Sequence, residues 1–180
     1  MVADAFVDSL ARNFGSALHL LQAALEETPD ELWETDLWPD APTRSRPEGG
    51  IDGSAPWFLG YHALTVTDYD LSGELEPWVS VPPFDEHVWS WPARVFTRAE
   101  LLGGIEHCRG RVSSTLASFA DKASLPLPPA HRAHPTSYGV LVGSLPVHVT
   151  EHAAQIRQFL TTSGVTVQPV PGDRTYRPGA

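Results

Sequence analysis

Four segments of this chain carry apolar residues at intervals of three and four, and that spacing commits each to an amphipathic helix. The first runs from about Ala5 to Glu27, with Phe6, Leu10, Phe14, Leu18, Leu21 and Leu25 on one face. The second runs from Pro56, a residue suited to a first helical turn, to about Ser72. It has two adjacent stripes, Trp57-Tyr61-Leu64-Leu71 and Phe58-His62-Thr65-Tyr69, as expected of a helix enclosed on most sides. The third opens with Thr97-Arg98-Ala99-Glu100, a capping box in which hydroxyl and carboxylate satisfy each other's backbone donors. Behind it follow Leu101, Ile105, Cys108, Val112, Leu116 and Phe119. Gly103 and Gly104 each cost about 1 kcal/mol inside a helix, which points to a close packing contact. The fourth spans roughly Ser137 to Ser163 and stops at Gly164, a residue suited to the left-handed position after a helix. Its stripe is Leu141, Leu145, His148, His152, Ile156 and Phe159. Pro146 interrupts it, so either the helix kinks there, the reading we favour, or its regular part begins at Ser144.

The connections are unequal. Thr28 to Ala55 is long, rich in Pro and Gly, and acidic at its start. Gly73 to Phe96 is as extended and holds Trp78, Trp89 and Trp91. Such a stretch can carry the chain along the full length of a bundle, so helices two and three need not be antiparallel. Aromatic content argues against disorder in it. Leu125 to Pro135 is a proline-rich linker, and residues 164–180 are an irregular tail, frayed from Pro169 to Ala180. The expected fold is all-α, a four-helix bundle with a long crossover between helices 2 and 3. It forms one domain over residues 1–180, with its core at about 5–163.

Charge and composition exclude several functions. Lys and Arg number 12 against 22 Asp and Glu, a formal charge of −10, which opposes the phosphate neutralisation that nucleic-acid binding requires. The most apolar stretch, Trp57 to Val66, is interrupted by His62 and Thr65, so no membrane span is expected. Asp4 and Asp8 stand where a signal peptide would be cationic, and Cys108 is the lone cysteine. A cytoplasmic location is expected. Lys122 is the single lysine, in a polar stretch unsuited to Schiff-base chemistry.

Eight histidines remain as the chemistry-bearing residues. His148 and His152 lie four apart, so on a helix their rings leave one face a turn apart and can share a divalent ion. Both fall on the apolar stripe of the fourth helix. Two readings follow: a metal pair, or core histidines with ordinary hydrogen bonds. A third ligand would come from another helix, His62 first and His19 second. Gln155, one turn beyond His152, and Tyr69, on the stripe of His62, are candidate catalytic groups; Glu151 and Asp68 are candidates for supporting hydrogen bonds. Trp33, Trp38, Trp89 and Trp91 either wall a pocket or pack in the core or a dimer contact. His131 and His134 are expected on a surface loop, and Cys108 as a small buried hydrophobe. Gly49 to Gly53 lacks the Lys and Ser/Thr of a phosphate loop and reads as a turn.

Three stretches together resemble the DinB/YfiT-like family. They are Trp57-Phe58-Leu59-Gly60-Tyr61-His62-Ala63-Leu64 with Asp68-Tyr69-Asp70-Leu71, the capped Thr97 to Leu102 with Glu106-His107-Cys108-Arg109, and His148-Val149-Thr150-Glu151-His152-Ala153-Ala154-Gln155-Ile156. The resemblance implies a metal-binding four-helix bundle, with His62, His148 and His152 as ligands, and commonly a homodimer. It also implies a thiol-using transferase or isomerase acting on a small molecule, with a low-molecular-weight thiol as cosubstrate. Zn²⁺ or Ni²⁺ are the expected ions. The alternative is a non-catalytic metal-binding or stress-related dimeric bundle. Pro146 departs from the family pattern on the helix that carries His148.

Overall fold

The computed structural model describes residues 2–39, 53–84, 91–129, 131 and 137–170, and every regular element among them is helical. In chain order these are α1 (Val2–Glu27), a 3-10 turn (Asp30–Leu32), α2 (Pro56–Ser72), α3 (Arg98–Ala117), the short α4 (Phe119–Lys122) and α5 (Tyr138–Thr162). The chain is all-α. Among the described residues no helix is long and apolar enough to cross a membrane.

The helix ends follow local chemistry. Thr97 and Glu100 close the capping box that starts α3, and Arg94 joins it through two hydrogen bonds to the Glu100 carboxylate. Gly73 ends α2 in the left-handed conformation (φ 56°) and Gly164 follows α5 with φ 83°. Two boundaries differ from the periodicity. α1 begins at Val2, a turn-fraction before Ala5, and α3 stops at Ala117 rather than carrying through Phe119. At Ser118 the backbone leaves the helical region (φ −114°, ψ 10°) and its N–H closes back on Thr115 and Leu116. The restart as α4 turns Phe119 into the core beside Tyr138. Pro146 lies inside α5, which continues on both sides of it, so the helix does not begin at Ser144.

Contacts fix the helix directions. Gly60 meets Leu101, Leu64 meets Gly104 and Cys108, and Asp68 meets His107, so α2 and α3 run parallel. Gly73 and Leu71 meet Tyr138 while His62 meets His148 and His152, so α5 runs against α2. Parallel neighbours require the connection from Gly73 to Phe96 to travel their whole length. It is pinned by side chains on the way: Trp78 Nε1 donates to Asp68 (2.6 Å), and Phe84 and Phe96 enter the core. The first connection is pinned by Trp33, whose Nε1 donates to the Phe96 carbonyl (2.9 Å).

Small residues set the closest approaches. A Cβ on Gly104 would stand 3.2 Å from Leu64 and 3.3 Å from Pro83, and one on Gly60 would stand 2.9 Å from Leu25. Gly103 has nothing within 4 Å, so packing explains only one glycine of that pair. α2 ends up enveloped, as its double stripe implies. Solvent reaches it only at Phe58, His62 and Tyr69. Burying each large apolar side chain there, Trp57 and Leu64 among them, contributes about 1.5–3 kcal/mol.

Candidate metal centre

The one partly exposed strip of α2 faces the flank of α5, and there His62, His148 and His152 meet. Each offers a ring nitrogen, and the three nitrogens all lie within 4.8 Å of one another. Ring centroids are 5.3 Å apart for His62 and His148, 5.1 Å for His62 and His152, and 4.6 Å for His148 and His152, with the rings steeply inclined. The α5 pair does not point into the core as its stripe suggests. The core line of α5 is Leu145, Val149, Ala153, Ile156 and Leu160, all buried, and it leaves His148 and His152 half-buried about 100° to one side. That offset is what lets α2 supply a third ring. His19, on α1, is not part of the cluster.

The surroundings keep these imidazoles neutral. Burial, reinforced by the neighbouring His152, lowers the pKa of His62 to about 4. Burial, followed by His152 and His62, lowers His148 to about 3. Burial lowers His152 as well, opposed by its hydrogen bond to Gln155 and by Glu151. The Gln155 contact runs from His152 Nδ1 to Oε1 at 2.9 Å. An amide oxygen only accepts, so Nδ1 carries the proton and Nε2 keeps its lone pair. His148 Nε2 is buried and finds no hydrogen-bond partner among the described residues. Such an orphan is costly unless something accepts its lone pair or donates to it, and a divalent cation bound by three neutral imidazoles would do so. The donor set therefore fits a divalent ion.

Other candidates lie elsewhere. Tyr69 shares the strip with His62 but sits about 10 Å further along the axis, and its hydroxyl donates to Glu74. A recess of about 490 Å³ opens there, with Tyr69, Glu74, Glu76 and Trp78 among its walls. Asp68 is 1% exposed and collects Trp78 Nε1, His107 Nε2 (2.7 Å) and Arg111 Nε (3.3 Å), so it anchors the crossover. Glu151 is exposed on α5. Cys108 is fully buried, and burial pushes its thiol pKa up, as suits a small hydrophobe.

The tryptophans divide. Trp33 packs in the core, Trp38 is exposed, and Trp91 stacks on Phe58 beside His62. Trp89 lies outside the described residues, as do His134 and Gly49 to Asp52. His131 is not on the surface: its ring is buried 3.5 Å from Asp70 and stacks on Tyr69. A proline-rich linker gives no periodicity from which to read that burial. The sequence reading also missed the His107–Asp68 pair, whose signal was an acidic residue on the enveloped helix α2. Comparison with family models, curated proteins and solved structures found no match to this chain.

Proposed function

We propose that this chain is a divalent-metal protein of the DinB/YfiT-like type, a four-helix bundle whose ion is held by His62, His148 and His152. Four long helices, with α2 and α3 parallel and a long crossover between them, support the architecture. The observation that carries the metal is the buried, unpartnered Nε2 of His148 beside two further imidazoles.

Bound there, a divalent ion supplies a Lewis acid that draws the pKa of a water or a thiol toward neutrality. The chain's residues do the rest. The three imidazoles are neutral at pH 7 and so bind without first losing a proton. Gln155 holds His152 in the ligating tautomer. Phe58 lies parallel to the His62 ring, 6.3 Å between centroids, and gives that flank an apolar face. Such a centre suits a thiol-using transferase or isomerase acting on a small electrophile.

The test is metal content of protein purified without chelators or a His-tag. About one ion per chain, lost in His148→Ala and His152→Ala, is the expected result. No ion, and no uptake of added Zn²⁺ or Ni²⁺, overturns the reading. Retained metal with no turnover of thiols against electrophiles overturns only the enzymatic half.

A further inference from the structure

The solvent-reached strip of α2 is walled on its N-terminal side by aromatic rings. Phe58 lies parallel to His62, at an interplanar angle of 4° and 6.3 Å between centroids. Trp91 stacks on Phe58 at 4.9 Å and 25°. Trp57 and Tyr61 brace Phe58 from other sides. Trp91 in turn is seated on the backbone of Gly53, where an added Cβ would stand 2.4 Å from the indole. Gly53 belongs to the first long connection and Trp91 to the second, so the two loops meet at this stack. Trp91 nevertheless stays 43% exposed. An indole held in a fixed seat yet left in water, one ring removed from His62, is apolar surface that a ligand reaching past Phe58 would cover.

We infer that Phe58 and Trp91 form the specificity-determining wall of the metal centre, and that they take a flat aromatic group on the small ligand whose donor atom meets the ion. The inference rests on the metal reading above. An aromatic group gains offset or edge-to-face contact with these rings beyond the area it buries, whereas a saturated group of the same size gains the area alone. An anionic group would lose hydration against the ring faces with nothing there to replace it.

Two thiols with the same donor and similar bulk separate these terms: phenylmethanethiol and cyclohexylmethanethiol. Their binding is read on Co²⁺-loaded protein from the thiolate-to-cobalt charge-transfer band, alongside cobalt content per chain. The wild type should favour the aromatic thiol about 3- to 10-fold. Trp91→Ala and Gly53→Val should bring the ratio near one with cobalt content unchanged, and Trp91→Phe should keep the preference. Trp91→Leu, which retains apolar volume without the indole face, replaces Trp91→Ala if that variant fails to fold. Equal affinities in the wild type, a preference that survives Trp91→Leu, or no binding of either thiol to the cobalt protein overturns the inference and leaves the metal reading intact. Failure to take up Co²⁺ at all overturns both.

Discussion

Two groups of histidines sit about two turns apart along α2, and they have opposite neighbours. At the N-terminal end His62, His148 and His152 face one another. Toward the C-terminal end His107 faces Asp68 at 2.7 Å and His131 faces Asp70 at 3.5 Å. An imidazole beside a carboxyl group has a polar partner within the protein, so it serves as a latch. Here it ties α3 and the linker to α2. Three imidazoles packed together disfavour one another's protonation and present lone pairs, the donor set a divalent ion would take. The same side chain on the same helix thus acquires two meanings from what its nitrogen meets.

The contrast is broken most severely at the triad. His62→Ala, His148→Ala or His152→Ala should each remove metal binding, falling from about one ion per chain to near none by elemental analysis. His107→Ala should leave the ion in place. If His107→Ala also empties the protein while it remains folded, the two groups are not separate.

Asp68→Ala tests the other end. It strands the Trp78 donor, His107 and Arg111 around a buried vacancy, and should lower stability by about 2–4 kcal/mol in denaturant melts. Metal stoichiometry in the folded fraction should not change.

Gln155→Ala sharpens the triad side. Without the acceptor on Nδ1, His152 is free to change tautomer, and metal affinity should fall about 10-fold in competition titrations, with little change in the melting temperature. An unchanged affinity would mean the His152 ring is held by packing alone.

The smallest effect is a pH dependence at the latch. Burial, with the nearby Glu74 second, raises the Asp70 pKa from 3.8 to about 7. The folded state therefore holds its proton more tightly than the unfolded chain. The resulting stability is fully present below pH 4 and is lost as pH rises through about 7. Asp70→Asn should flatten that decline and leave the variant the more stable of the two at pH 8. Melts across pH 4–8 on both proteins check it; parallel curves would show that Asp70 does not set the slope.

Much of the helical framework was legible because helices are local. The capping box at Thr97, Pro56 at a first turn and Gly164 after a last turn act within a few residues, and apolar spacing alone marks which segments coil. The double stripe on α2 likewise implies the envelopment that leaves only Phe58, His62 and Tyr69 in reach of solvent. The break at Ser118 was not legible, since a helix-compatible residue there yields to the pull of Phe119 into the core. Nor was the burial of His131, which depends on Asp70 and Tyr69 from a distant segment.

The sequence by itself determined which four segments are helical and that two histidines share one face of the last long helix. Only the tertiary structure decided that this face lies at the flank of α5 rather than its core, that His62 and not His19 joins it, and that Gly53 and Trp91 close on Phe58 beside it. The reason is range. Helix formation is fixed by hydrogen bonds four residues apart, whereas the cluster requires α2 and α5 to meet in one register and two long connections to converge. That register is set by the summed packing of the whole core, which no local pattern records.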